Sequence, residues 1–283
     1  MEGELTVQGG SLYDFLHFMG ENLAAAGPSF LMRVRAHAEY MSRWFMQYNP
    51  VARSQRHVAH HYDISGELYE LFLDSDLQYS CAYFKDPAED IETAQTRKKQ
   101  YVSAKLLLKS GQTVLDIGSG WGGLALHLGE VADVEVTGLT LSSQQYKIAE
   151  ARARDRGLSR KVRFHLRDYR QERGKYDRVV SVGMFEHVGQ RNYATYFDTV
   201  KRLLKPGGLF VLHTIGSNTN EVSIDPWINK YIFPNGILPS VQQIADASES
   251  KLVMEDWQNF GADYDTTLMA WQENLLAHWH EIA

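Results

Sequence analysis

An α/β fold with a doubly wound, mostly parallel sheet is what this 283-residue sequence predicts, on three observations. From about Lys109 onward, short apolar and β-branched runs alternate with helix-compatible stretches, the pattern of parallel strands joined by helical crossovers. The first run passes directly into a glycine cluster, Gly118-Ser-Gly-Trp-Gly-Gly123, and from there into a helix. Residues 1–75 lack the alternation and read as a helical N-terminal flank, so two domains are expected, 1–75 and 76–283.

Within the flank, Phe30, Leu31, Met32, Trp44, Phe45 and Met46 accompany Arg33, Arg35, Arg43, Arg53 and Arg56. An ordinary helix with a solvated face is the favoured reading, a basic patch for anionic lipid the other. The flank ends in His57-Val-Ala-His-His-Tyr-Asp63 and the apolar spacing of Leu68, Tyr69, Leu71 and Phe72.

Thr113 to Ile117 is then the first strand, and Leu124 to Glu130 its helix. Val134 to Leu139 makes the second strand. Ser142 to Arg156 follows as a helix opened by the capping pair Ser142 and Gln145 and closed by Gly157. Val162 to Leu166 and Arg178 to Met184 read as buried strands, and Tyr193, Tyr196, Phe197, Val200, Leu203 and Leu204 as one helical stripe. Lys205-Pro-Gly-Gly208 turns the polypeptide into a strand from Leu209 to Ile215. Leu252 to Gln258 is a candidate sixth strand, and Leu268 to Ile282 has helical spacing.

Composition narrows the function. With 44% hydrophobic and 23% charged residues the protein has enough apolar content to bury a full core. No run approaches the eighteen or so apolar residues of a membrane span, and Met1-Glu-Gly-Glu lacks a secretory leader's order, so a cytoplasmic protein is expected. A net charge of -6 offers no global attraction to nucleic acid, and no such partner is expected. The single cysteine, Cys81, excludes an internal disulfide and a multi-cysteine zinc site. No His-Glu-x-x-His occurs, and His60 with His61 or His278 with His280 lack ligand spacing, so no metal is expected.

A glycine turn after a strand lets a ligand approach backbone amides at a helix N-terminus. A nicotinamide cofactor would add an acid about twenty positions on, where this sequence reads Gly138-Leu-Thr140. Asp116, two residues before Gly118, points instead to the variant of this turn that holds S-adenosylmethionine.

Val114-Leu-Asp-Ile-Gly-Ser-Gly-Trp-Gly122, with Val136-Thr-Gly-Leu-Thr-Leu-Ser142 and Gln145, resembles the cyclopropane fatty acid and mycolic acid cyclopropane synthases. Further matching blocks are His60-His-Tyr-Asp63, Gln78-Tyr-Ser-Cys-Ala-Tyr-Phe84, Ser181-Val-Gly-Met-Phe-Glu-His-Val-Gly189, Leu212-His-Thr-Ile215 and Asp225-Pro-Trp-Ile-Asn-Lys-Tyr-Ile-Phe-Pro234. The resemblance implies a Rossmann-like class I methyltransferase that moves the methyl of S-adenosylmethionine onto the cis double bond of an unsaturated phospholipid acyl chain. It further implies that Cys81, Glu186, His213 and Tyr264 converge on a bicarbonate, beside the backbone of Ile215. Tyr79, Ser80, Asp116, Gly118, Gly120, Thr140, Gln145, Asp168 and Tyr169 are carried over as cofactor neighbours. Transient contact with the inner face of the membrane is expected, and a homodimer is among the assemblies considered.

The chemistry makes sense of those residue types. An alkene is a feeble, neutral nucleophile, so the enzyme must press the sulfonium methyl against it in a dry, aligned geometry. The cation so formed must lose a proton before water quenches it, which calls for a small base held inside an apolar pocket. Glu186 and His213 fall at the carboxyl ends of the fourth and fifth strands, where open α/β sheets bind ligands, independently of any family. Taken singly, Cys81 reads as a small buried hydrophobe, Glu186 as a cap and His213 as a core residue; jointly they read as a site. Gln145 reads equally as the closing half of a capping box. Tyr83-Phe84, Phe185, Trp227 and Tyr231-Ile-Phe233 are candidates for an acyl tunnel.

The sequence departs from the family in places. Ser119 replaces the usual cysteine, and Asp263 stands where a histidine commonly precedes the tyrosine equated with Tyr264. Both ends look short, the flank like the remnant of a lipid-binding domain, and no seventh strand is expected after Gly261. The rival readings are a methyltransferase of the same scaffold acting on acyl carbon or on amine nitrogen, a nicotinamide oxidoreductase and an inactive lipid-binding protein.

Overall fold

In the computed structural model, strands and crossover helices alternate through the second of two units into which the protein separates, Met1–Met46 and Gln47–Ala283. Residues 6–26, 66–220, 226–233 and 236–282 are described; the Arg33 to Arg56 cluster, His60-His-Tyr-Asp63, Asp225 and Pro234 lie outside them. In the first unit the described helix is α1 (Leu12–Ala26). Its start is closed reciprocally: Ser11 N–H donates to Asp14 Oδ2 at 2.7 Å and Asp14 N–H to Ser11 Oγ at 3.1 Å.

The second unit opens with α2 (Gly66–Phe72) and α3 (Ile91–Lys105), capped by Asp90, whose carboxylate accepts from Thr93 N–H at 2.7 Å. Then come β1 (Thr113–Ile117), α4 (Gly123–Val131), β2 (Glu135–Thr140), α5 (Ser143–Asp155), β3 (Val162–Leu166), β4 (Tyr176–Val182), α6 (Tyr193–Leu203) and β5 (Leu204–His213). All pairings are parallel, in the order β3-β2-β1-β4-β5. The backbone winds outward from β1 to β3 and then returns to lay β4 on the other side of β1. A crevice therefore opens above the carboxyl ends of β1 and β4.

Alternation within the strands feeds two cores. Val114, Val136, Val162, Phe164 and Val180 pack against Leu124, Leu128, Ala149 and Ala153 of α4 and α5. Leu115, Ile117, Leu139 and Val179 pack with Tyr196, Phe197, Val200 and Leu203 of α6. Each such side chain contributes about 1.5–3 kcal/mol when fully buried. Both faces are covered, so the doubly wound reading of the sequence is correct.

Past the sheet lie α7 (Pro226–Tyr231), α8 (Val241–Ser248), α9 (Ala262–Ala277) and α10 (Trp279–Ile282). A third core joins Tyr69 within α2 and Leu73 just past its end to Trp121 and to Trp271 of α9, with the Tyr69 and Trp121 ring centroids 5.0 Å apart. Residues 66–75, read in the sequence as the end of the flank, thus pack inside the second unit.

Two sequence expectations are corrected. Leu252–Gln258 is not a strand: Val253, Met254 and Trp257 are exposed, and the segment is tied to α3 through side chains, Asp256 to Lys105 and Gln258 to Tyr101. Apolar residues there have no covered face to alternate onto. Lys205-Pro-Gly-Gly208 does not precede β5 but is extruded from it, since Tyr176 pairs with Leu204 and Arg178 already with Leu209.

Candidate active site

The glycine turn is shaped by what lies behind it. Gly118 has φ +85°, and a Cβ there would stand 2.8 Å from the Met184 side chain, so both conformation and space demand glycine. Gly120 has φ +53° with nothing within 4 Å of its would-be Cβ, which leaves its backbone open to the crevice. Gly118 and Ser119 N–H donate to Leu139 O at 2.9 and 2.8 Å, locking the turn against the end of β2.

A cleft with about 510 Å³ of empty space, open to solvent, is bounded by Leu77, Gln78, Tyr79, Ser80, Asp116, Gly118, Ser119, Gly120, Trp121, Gly123, Leu124, Gln145, Val182 and Gly183. Asp116 is 2% exposed, and among the described residues no hydrogen bond or ion pair engages its carboxylate. Burial pushes its pKa up to about 7. Ser142 Oγ accepts from Gln145 N–H at 3.2 Å, as a cap should. The reciprocal half of the expected box is missing, because the Gln145 amide turns away and accepts from Thr140 Oγ1 at 2.8 Å. Gln145 thereby presents its side chain to the cleft, with Thr140 holding it from behind.

Residues 77–84, between α2 and α3, form an irregular strap that carries Tyr79, Ser80 and Cys81 across the cleft. Without ladder partners it is held by side chains. Gln95 Nε2 donates to Gln78 O at 3.1 Å and Ser80 O at 2.9 Å, Thr267 Oγ1 accepts from Ala82 N–H at 3.0 Å, and Asp263 Oδ2 accepts from Phe84 N–H at 3.0 Å. Asp263, a departure from the family pattern, therefore fastens α9 to the strap beside Tyr264. Asp76, just before the strap, gathers Lys99, Arg152 and Arg156.

Next to the cleft lies a buried polar group of residues. Glu186, 7% exposed in a 3-10 turn after β4, accepts from Ile215 N–H through Oε1 at 2.7 Å, while its Oε2 is buried with no partner. Burial pushes this carboxyl up. His213 ends β5 with Nδ1 buried and unpartnered, and its ring lies face to face with Phe260, centroids 5.1 Å apart and planes at 4°. Burial, then the Lys98 charge, holds its pKa down at about 3, so the imidazole is neutral. Burial lifts the Cys81 thiol to about 11. Tyr264 is lifted to about 12 by burial first and then by Cys81 and Glu186, whose fields reach its hydroxyl. Thiol, carboxylate and phenol thus share one electrostatic neighbourhood, and Lys98 acts on both the thiol and the imidazole.

Three carried-over residues do not reach the cleft lining: Thr140, which stands behind Gln145, and Asp168 and Tyr169. Asp168 is 1% exposed and spent on Arg170, accepting from its backbone N–H and Nε at 2.9 Å each and from Nη2 at 2.6 Å. The Tyr169 ring packs edge-on to Tyr196 at 5.3 Å. Conversely, sequence reasoning missed Gln95, Lys98, Phe260 and Thr267. For Gln95 and Lys98 a signal existed: they interrupt the inward stripe Ile91, Ala94, Val102 of α3 at helical spacing.

Comparison with known proteins adds lineage to this geometry. The family model described as mycolic acid cyclopropane synthetase matches residues 50–283. Cyclopropane-fatty-acyl-phospholipid synthase of Escherichia coli is 57% identical over 223 residues, 79% of this chain and 57% of that protein. The protein therefore spans little more than half of that relative. Cyclopropane mycolic acid synthase 2 of Mycobacterium leprae is 36% identical over 250 residues, 79% of this chain and 80% of its own. A cyclopropane synthase structure from Mycobacterium tuberculosis superposes with a TM-score of 0.76 at 33% identity, covering 80% of this chain and 85% of that one. Coclaurine N-methyltransferase, at 23% identity and a TM-score of 0.70 over 94% of this chain and 85% of that one, shares the fold. With its parallel five-stranded sheet, its glycine turn and these matches, the chain belongs to the mycolic acid cyclopropane synthetase family.

Proposed function

We propose that this protein transfers the methyl group of S-adenosylmethionine to the cis double bond of an unsaturated phospholipid acyl chain and closes a cyclopropane ring, with bicarbonate as the base. The observation that carries the reading is a pair of buried polar atoms without partners, Glu186 Oε2 and His213 Nδ1, on the segments just past β4 and at the end of β5, whose backbones meet through Gly183 of the cleft lining. Buried polar atoms are nearly always hydrogen-bonded, so each of these two asks for a small polar partner.

The residues present fit both groups. Asp116, Gln145 and the open backbone at Gly120 would hold the polar parts of S-adenosylmethionine, with Tyr79 and Ser80 lining the same cleft. A mycolic acid cyclopropane synthase at 33% identity has been crystallised in complex with S-adenosylhomocysteine and CTAB. When bound, S-adenosylmethionine supplies an electrophilic methyl and bicarbonate a small base for the proton released on ring closure. Glu186, fixed by Ile215 N–H, would accept the single O–H of bicarbonate at Oε2, while neutral His213, carrying its proton on Nδ1, and the Tyr264 hydroxyl would donate to its oxygens; the Cys81 thiol stays protonated beside them and donates to Ala82 O at 3.3 Å. Phe260 walls off one face of the imidazole. Water is kept away by this apolar surround, which preserves the cationic carbon long enough for proton loss.

Among the described residues no helix is long and apolar enough to cross a membrane. In this reading the acyl group is drawn from a bilayer by peripheral contact at its cytoplasmic face. The part of the N-terminal flank before residue 66 is proposed to belong to that lipid-binding role, residues 66–75 being packed in the core with Trp121 and Trp271. The test supplies methyl-labelled S-adenosylmethionine with vesicles of cis-unsaturated phospholipid, with and without bicarbonate, and identifies products by mass spectrometry. Cyclopropane lipid formed faster with bicarbonate supports the reading. Label found only on added amines, only in branched unsaturated or saturated chains, or nowhere despite cofactor binding overturns it.

A further inference from the structure

Behind the strap lies a cation that the chemistry above leaves unused. Lys98, 2% exposed, projects from the inward stripe of α3, and its Nζ donates to Ser80 Oγ at 2.7 Å. Ser80 lines the cofactor cleft, and Cys81 follows it on the strap. Lys99, the next residue, has a carboxylate partner in Asp76, but no ion pair forms to Lys98 among the described residues. Burying an ammonium without a paired carboxylate is costly, so the placement needs a reason.

The surroundings supply one. Of the cations among the described residues, only Lys98 acts on both Cys81 and His213. Asp74 and Asp76 face it from the loop before the strap, Cys81 from the strap itself, Lys99 from its own helix and His213 from β5. The polar group of Cys81, Glu186, His213 and Tyr264 has no positive charge of its own, and an ionised Glu186 repels an anion. A second charge is needed before bicarbonate is preferred there over water.

We propose that Lys98 is a positioning residue of this site: seated on the Ser80 hydroxyl, its ammonium is the countercharge that retains an anionic base beside Cys81 and His213. The inference rests on the bicarbonate reading and goes beyond it in assigning the charge that selects an anion. Burial pushes the Lys98 pKa down to about 7, so in the empty protein its charge is lost as pH rises through neutrality. An anion beside it favours the protonated form. Anion affinity is therefore highest below about pH 7 and falls above it.

The experiment titrates carbon-13 bicarbonate into the whole protein saturated with S-adenosylhomocysteine, followed by NMR, from about pH 7 to about pH 9. Wild type, Lys98→Arg and Lys98→Met are compared, with thermal unfolding and S-adenosylhomocysteine affinity measured in parallel. Wild-type affinity should fall on the order of tenfold across that range, and Lys98→Arg, charged throughout, should bind with little pH dependence. Lys98→Met should lose on the order of tenfold in bicarbonate affinity at neutral pH, with cofactor-product affinity within about threefold of wild type. A flat wild-type profile, or equal losses of both ligands in Lys98→Met, overturns the role of Lys98, and the wild-type profile decides even where Lys98→Met fails to fold. Bicarbonate binding with no pH dependence removes only this inference; absence of binding, with turnover indifferent to bicarbonate, removes the proposed function as well.

Discussion

Glu186 sits between a backbone donor and an empty acceptor position, which makes it the residue whose chemistry is most easily isolated. Glu186→Gln keeps the shape and can still accept from Ile215 N–H, but it cannot ionise. Turnover should fall by about a hundredfold or more, while S-adenosylhomocysteine affinity by calorimetry stays within about twofold. Asp116 gives a second residue-level test through pH. Its folded pKa is raised from 3.8 to about 7 by burial, so the folded state holds a proton that the unfolded polypeptide releases earlier. The ligand-free protein should lose stability as pH rises from about 4, with the penalty complete above about 7, and Asp116→Asn should flatten that loss, worth a few kcal/mol at most. Melting temperatures at about pH 5 and about pH 8 check this; a wild-type curve parallel to that of the variant refutes it. Both side chains were legible in the sequence because strand ends and glycine turns locate themselves. The free Oε2 of Glu186 and the rotated amide of Gln145 were not, since a cap pattern is silent on which half forms.

Beyond the apolar cores, buried charge also joins elements. Asp76 joins the strap to α3 through Lys99 and to α5 through Arg152 and Arg156. Burial raises its pKa, but the three cations outweigh that and hold it below the usual carboxylate range. Asp76→Ala leaves the buried Lys99 and the half-buried Arg152 without a carboxylate, Arg156 keeping Glu130, and should cost about 3 kcal/mol in denaturant unfolding. Since the strap lies on the cleft, cofactor affinity should fall with it; a stable variant with intact affinity would show that the strap is held by Gln95, Thr267 and Asp263 alone. The failure at Leu252–Gln258 belongs to this scale too. Its composition suits a strand, yet a strand exists only where another offers its edge, and α3 instead captures this segment by side chains.

For the molecule as a whole, the cleft divides a sheet with two filled faces from a strap and α9 that close over its carboxyl edge. A ligand that binds only the folded form adds about 2.7 kcal/mol at a hundred times its Kd. Saturating S-adenosylhomocysteine should therefore raise the melting temperature by several degrees. It should slow hydrogen exchange in residues 77–84 and 118–123 while leaving β3, at the sheet edge, unchanged; uniform protection would place the ligand elsewhere. Much of this architecture follows from sequence alone: β1 to β5, their helices, the glycine turn, Glu186 and His213 at strand ends, and the family all stand in local periodicity and contiguous motifs. Local patterns suffice there because each strand and helix buries its face through its own spacing. Tertiary structure alone decided that residues 66–75 pack onto α9, that Asp168 is consumed by Arg170, and that Lys98 and Phe260 stand at the site. Those facts depend on segments far apart in the sequence meeting in one buried volume, where the field of a charge or the face of a ring reaches groups that no local spacing connects.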